Sequence, residues 1–520
     1  MKKIDIFPDI QFEREPETEN LQIQTYGRRI TSDQTVPEYL LEFLLVFIGM
    51  GEKINEKGLK KIDESIDKPI KYRIMPNIGL KRFVFFENSK NENKYKADRD
   101  AYKKLRNLLE NNVDTEHFDK SEVISIIQDL FYGFSAVTKN RGWFAQSLLP
   151  ICEQTIFPEA MGKKADRSNL DFYKKEDEVD LNVDTKFEFN EHNFLARGGE
   201  VYFLHLLQGF DKLKETKYKE SIENNLTDLI NSFPQFSILS NWILNTWSDY
   251  LNESTNTEIN FDKIKECKWI PEEYERRSAY TVKELNNILL SDTSEFEKLD
   301  LLSIGIVFQL LRMMTEVAAS IAKGKKGINP TWLIHIPSQN VYDKKIKKLA
   351  VRKYKEIEEN MEIAVAQMLE NKEKMFSDNV KRRTTKERSH LSLLKKAHVD
   401  SHKLLRKLGK EIGLIIPLSG DNMRMTLTDS LIRFIVLSIV PPESKITIDL
   451  FLKKLYEHYG IIIGSRGYSN ELNDTSDVSY LQNNLVEFQT LLRKNGFLRE
   501  LSDATSIVEN PYDKVGGVNT

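Results

Sequence analysis

Apolar residues recur at three- and four-residue steps over most of the chain from about residue 98, the period of amphipathic helices. Ile124, Ile127, Leu130, Phe131 and Phe134 form one stripe, and Val201, Leu204, His205 and Gln208 another. Further helices are predicted over 221–232, 238–250, 281–290 and 294–322. The first 35 or so residues read as an extended arm docked on the body. Val36-Pro37 opens an apolar helix over 38–50 closed by Gly51. Short aromatic and β-branched runs over 72–87 predict a strand or two. Charged sequence over 162–193 breaks the period, with a short strand at 183–189.

Asp343–Phe376 reads as one long helix, with Ile346, Leu349, Tyr354, Ile357, Met361, Ala364 and Met368 on its inner stripe. After an interruption at 377–389, Thr384 and Glu387 fit a capping box that restarts a helix to about Leu408. There Leu391, Leu394, His398, Ser401, Leu405 and Leu408 repeat at heptad spacing. Two long helices and a short loop predict a helical hairpin. Beyond Gly413 come helices over 426–440, 446–459 and 478–495, a short strand at 461–464 and strand-like segments over 497–509. That order is the order of a winged-helix module, and the segment from Glu411 to Asp513 is expected to fold as its own domain.

The fold class is therefore mainly α, a multi-domain helical protein with a long basic helical hairpin and a C-terminal winged-helix-like α+β domain. The expected divisions are 1–97 (arm and small mixed domain), 98–330 (central helical domain), 331–410 (basic hairpin) and 411–520 (winged-helix-like domain).

Composition narrows the function. The chain has 520 residues, 40% hydrophobic and 30% charged, with Lys+Arg 76 against Asp+Glu 79. A net charge of -3 excludes a uniformly basic nucleic-acid coat but permits opposite local charges. Cys152 and Cys267 are too few for a disulfide framework and point to a reducing compartment. The apolar runs 36–50, 299–311 and 431–440 each fall short of a bilayer span and contain charge. A cytoplasmic protein with no membrane segment is expected.

Charge is concentrated in the hairpin, where 343–410 holds 20 Lys/Arg against 10 Asp/Glu. Lys344, Lys345, Lys347 and Lys348 crowd its start, and Lys381, Arg382, Arg383, Lys386 and Arg388 its loop. Clusters of this kind neutralise phosphates. A solvated helix surface paired with acidic patches elsewhere is the alternative. Residues 411–520 hold 10 Lys/Arg and 14 Asp/Glu, which favours protein docking by that module. Its last helix offers Gln482, Asn483, Asn484 and Gln489, with Arg493 and Lys494 at the end.

Other candidates are weaker patterns. Arg141-Gly142 and Arg197-Gly198-Gly199 each precede a helix, where glycine lets the backbone approach an anion. Glu153, Glu191 and His192 could add acid–base groups, which makes Arg141, Glu191, His192 and Arg197 the centre of an alternative enzyme reading acting on nucleotides or phosphodiesters. Asp184-Thr185-Lys186, with Glu178 or Asp180 upstream, has a nuclease-like acid-x-Lys ending. His398 and His402 are four apart, a zinc-compatible spacing, but His398 continues the leucine stripe and no Glu lies in the HExxH position. Neither a metal nor a cofactor is expected.

Gly27-Arg28-Arg29-Ile30-Thr31-Ser32-Asp33-Gln34, Asn140-Arg141-Gly142-Trp143-Phe144 and Phe194-Leu195-Ala196-Arg197-Gly198-Gly199-Glu200 resemble segments of large helical accessory subunits encoded in bacterial anti-phage operons. The resemblance implies a complex partner, a motor ATPase or nuclease, and transfers no catalytic residue. The expected function is a non-catalytic subunit that binds nucleic acid, a partner protein or both.

Overall fold

The computed structural model describes residues 21–27, 30, 34–50, 70–75, 77–87, 96–133, 151–162, 187–188, 197–255, 263–267, 272–328, 330–339, 342–376, 390–464, 476–502 and 505–515, and these are mainly helical. In chain order the helices begin with α1 (Leu21–Tyr26), α2 (Val36–Gly49), α3 (Leu80–Phe85), α4 (Lys96–Asn111) and α5 (Lys120–Gly133). Next come α6 (Glu153–Ile156), α7 (Gly198–Leu213), α8 (Thr216–Ile230), α9 (Pro234–Thr255), α10 (Ser278–Leu290) and α11 (Glu295–Ala322). The series ends with α12 (Asp343–Phe376), α13 (His390–Glu411), α14 (Asp429–Ile439), α15 (Ile448–Tyr459) and α16 (Ser476–Lys494). Strands are short: β1 (Ile70–Ile74), β2 (Met161–Gly162), β3 (Phe187–Glu188), β4 (Lys263–Cys267), β5 (Trp332–Leu333) and β6 (Ile415–Ile416). They continue with β7 (Arg424–Met425), β8 (Lys445–Thr447), β9 (Ile461–Ile462), β10 (Leu498–Ser502) and β11 (Thr505–Glu509).

The chain forms two compact units, one from Met1–Leu40, Ala196–Ile222 and Lys268–Thr520, the other from Leu41–Leu195 and Glu223–Cys267. In the first, α11 is the core. Ser294 caps it by accepting from the Glu297 amide, and the helix then runs 28 residues. By length and composition α11 is apolar enough to cross a membrane, which the shorter run at 299–311 does not suggest, and its most apolar window is wholly buried in the protein. Phe308 lies at its middle, with ring centroids 5.5 Å from Trp332, 5.6 Å from Phe434 and 5.0 Å from Tyr459. A Cβ at Gly305 would fall 2.6 Å from the Phe434 ring, so glycine there sets how closely α11 and α14 approach.

Around that core, α12 and α13 run antiparallel, with His402 and Arg406 of α13 reaching Glu358 of α12 and His398 reaching Glu362. The inner stripe of α12 is as the pattern predicts, although Leu349 is only half-buried. The expected extended arm contains a short helix instead: α1 buries Leu21 against Val365, Leu369 and Ala397. Residues 377–389, including the predicted capping box, lie outside the described residues.

The C-terminal segment follows the order helix (α14), strand (β8), helix (α15), strand (β9), helix (α16), hairpin (β10–β11), with β9 pairing in parallel with β5. Pro441-Pro442 ends α14. Thr447 caps α15 by accepting from the Leu450 amide, and Gly460, at φ 74°, ends it in the left-handed conformation. The three-stranded antiparallel sheet has the order β10-β11-β8, with Val508 opposite both Leu498 and Ile446. The segment shares its core with preceding helices. His458 bonds Glu284, Ser438 O accepts from Asn287, and Asn510 bonds Ser291.

In the second unit, β1 and β4 pair antiparallel from Ile70 opposite Cys267 to Ile74 opposite Lys263. Leu80, Phe83, Leu105, Ile124, Ile243 and Trp247 pack together among α3, α4, α5 and α9. The strand expectation over 72–87 fits only its beginning, because Leu80–Phe85 is helical. The reason is remote in sequence: the buried Glu159 carboxylate accepts from the Gly79 and Lys81 amides at the helix start and pairs with Arg82 at 3.1 Å. On α5 the inward stripe is Ile124, Gln128 and Phe131, with Leu130 exposed. Gln128 is drawn in by donating to Phe83 O at 2.6 Å.

Glu153, in α6, is half-buried, and burial pushes its carboxyl up to about 7 from 4.5. Between those values the folded protein keeps a proton that the unfolded chain releases, so this group's contribution to stability falls as pH rises. Glu153→Gln is therefore expected to stabilise the protein by about 1–2 kcal/mol at pH 8, discounted for partial exposure, and to be neutral near pH 4.5. Urea titrations at the two pH values check this. An equal effect at both would contradict it.

Candidate nucleic-acid interface

The start of α12 is fixed by a polar relay. Its first residue, Asp343, accepts from the Ser338 amide at 3.0 Å and from His335 Nε2 at 2.8 Å. The other ring nitrogen, His335 Nδ1, accepts from Arg424 Nε at 2.9 Å. His335 is thus neutral with its proton on Nε2, and burial holds its pKa below the ordinary value. With both nitrogens engaged it bridges two elements and is not placed as a general base. The Asp343 carboxylate also complements the helix dipole at the amino end.

Beside α12, α16 is held to the β5–β9 pair. Asn484, fully buried, donates to Ile334 O at 2.8 Å and Ile463 O at 2.9 Å and accepts from the Ile336 amide at 2.9 Å. It belongs to the packing between α16 and the parallel β5–β9 pair and is not available to a ligand, unlike the exposed Gln482 and Val486 on the same helix.

What remains outside is basic. Lys344, Lys345, Lys347, Lys348, Arg352 and Lys355 are all exposed. Lys344, Lys348, Arg352 and Lys355 follow three- and four-residue steps, so they line one face. None of these four makes an ion pair with a described residue. Other charges on the helix are compensated: Lys353 lies 3.0 Å and Lys323 3.7 Å from Glu356, and Arg406 lies 2.7 Å from Glu358. Among the described side chains of α12, the cations without an ion pair lie between Lys344 and Lys355.

At its edge stand two tyrosines. Tyr342 precedes α12 and Tyr480 belongs to α16; their ring centroids are 5.7 Å apart and the planes tilted by 40°. Lys345 Nζ donates to Tyr480 OH at 2.6 Å and lies 4.6 Å from the ring centroid. That bond raises the Lys345 pKa, so its ammonium stays charged.

Of the predicted loop cations, Lys381, Arg382, Arg383, Lys386 and Arg388 lie outside the described residues, as do Arg141, Glu191, His192, Glu178, Asp180, Asp184 and Lys186. Arg197 is the N-cap of α7, at φ 63°. Gly198 and Gly199 are buried, and Gly198 lies against the Tyr39 ring and Leu310, so close packing accounts for its missing side chain. His398 and His402 have ring centroids 4.1 Å apart, but their Nε2 atoms turn to Glu362 and to Glu358 O. Among the described residues no three His, Cys, Asp or Glu side chains gather as a metal site would require.

One buried constellation has no counterpart among the residues that sequence patterns single out. His458 Nδ1 lies 2.9 Å from Glu284, whose second oxygen accepts from Gln309 at 2.7 Å. Arg312 Nε donates to Gln309 at 2.7 Å and its NH1 to Glu316 at 2.8 Å, and Arg276 reaches Glu316 from the surface at 3.3 Å. Tyr280 stacks on His458 at 4.0 Å. Arg277, which donates to His458 O, is brought down to about 9 by burial, with Arg312 adding to the effect. The network ties α10, α11 and α15 together. Its one trace in the sequence is Gln309, Arg312 and Glu316 at steps of three and four on an otherwise apolar helix.

No protein-family model, curated protein or solved structure matches this chain.

Proposed function

We propose that the protein is a non-catalytic nucleic-acid-binding subunit that holds a phosphate backbone on the outer face of α12. The observation that carries this reading is the stripe Lys344, Lys348, Arg352 and Lys355, exposed and uncompensated, on a helix whose start is fixed by Asp343, His335 and Arg424. Rigid placement matters because phosphate contacts set register as well as affinity. We read the segment from α14 to β11 as a winged-helix-like module. Its three helices, the terminal hairpin and the sheet order β10-β11-β8 support that reading. In it α16 takes the place of the recognition helix, with Gln482 and Val486 outward. Any chemical step would belong to a partner in a larger bacterial complex.

The test is a salt titration of binding to a duplex of mixed sequence. Three or four phosphates neutralised by this stripe predict that log K falls by about 3–4 per decade of salt. Mixed and uniform sequences should bind alike, since lysines supply charge rather than base readout. Binding insensitive to salt would contradict the reading.

A further inference from the structure

We infer that the ligand of this face is a single-stranded nucleic acid, with its phosphates on the lysines of α12 and a base stacked at Tyr342 and Tyr480; the inference rests on the reading above. Two features separate these tyrosines from those that merely fill space. Tyr354 and Tyr459, elsewhere in this unit, are 2% and 1% exposed, whereas Tyr342 is 43% exposed. The ring pair is also tilted by 40° with centroids 5.7 Å apart, so neither ring lies flat on the other.

The surroundings match what a single strand requires. Such ligands are held by a positive track beside aromatic side chains on which successive bases stack. Here Lys344, Lys345 and Lys348 lie within two turns of Tyr342, with Lys344 and Lys348 about 6 Å apart along the helix axis. Lys345 joins the two halves, because its ammonium sits against Tyr480 while its own helix carries the other lysines. A duplex interior hides its base faces and could use the lysines alone.

The experiment measures anisotropy of labelled oligo-dT, oligo-rU and a duplex of equal length with the full chain and its Tyr342→Ala and Tyr342→Phe variants. Tyr342→Ala should weaken binding of the single strands by about tenfold and leave the duplex unchanged, while Tyr342→Phe keeps wild-type affinity. The dT and rU arms separate DNA from RNA. Tyr342→Trp supplies a second readout, quenching of the indole at saturating oligo-dT. If wild type binds the duplex but Tyr342→Ala changes nothing, or weakens all ligands equally, the single-strand inference is overturned and the reading of the basic face survives. An indole left unquenched at saturation overturns the inference too. No binding by wild type to any of the three overturns both.

Discussion

Arg312→Met is expected to destabilise the protein by about 3–5 kcal/mol, the usual cost of removing one partner from a buried ion pair. The guanidinium is 1% exposed and supplies hydrogen bonds to both Gln309 and Glu316. Methionine fills much of its stem volume but leaves the Gln309 carbonyl oxygen and one Glu316 oxygen without the donor that Arg312 supplied. Arg276 still reaches the other Glu316 oxygen, which places the effect toward the lower end of the range. Changing both partners, in Arg312→Met/Glu316→Met, removes the buried charge as well and should cost less than the single change. Urea midpoints followed by far-ultraviolet circular dichroism measure this order. A double variant less stable than Arg312→Met would contradict it.

Asn484→Leu should be nearly as damaging. The substitution is close in volume, so cavity formation contributes little. Its cost is the loss of three hydrogen bonds, which leaves Ile334 O, Ile463 O and the Ile336 amide buried without partners. At about 1–3 kcal/mol for each unsatisfied group, with partial relaxation, a total of about 3–4 kcal/mol is expected. Asn484→Asp keeps the acceptor for the Ile336 amide but loses both donors and should fall no closer to wild type. Thermal melts of the two variants check the account, and a shift within error of zero for Asn484→Leu would refute the role given to this side chain.

The long helices were legible because a buried stripe leaves its period in the sequence. On α12, Ile346, Tyr354, Ile357, Met361, Ala364 and Met368 are buried where the spacing puts them, and so the lysines between them are exposed. What the period does not carry is the identity of the neighbour. Leu80–Phe85 is aromatic and β-branched enough to read as strand, yet Glu159, some eighty residues on, caps it as a helix. Asn484 reads as one of several polar residues on a surface helix until the strands it joins are known. The candidate site was legible in the same partial way. Lys344, Lys345 and Lys348 stand out by composition, whereas Tyr480 lies far along the chain and Asp343, His335 and Arg424 meet only through the fold. The buried charges of α11 did leave a local trace, the polar i, i+3, i+7 spacing of Gln309, Arg312 and Glu316, which reads equally as an interruption of an apolar run.

The claim that α12 holds a phosphate backbone is tested most directly by reversing its charges. Lys344, Lys348 and Arg352 changed together to Glu alter only exposed side chains without ion pairs to described residues, so the melting temperature should stay within a few degrees of wild type. Binding of a labelled nucleic acid, titrated with salt, should weaken by at least about a hundredfold at low salt. The slope of log K against log salt should become shallower by about 2–3, roughly 0.9 for each phosphate that is no longer neutralised. A folded triple variant with wild-type affinity and an unchanged salt slope would contradict the account.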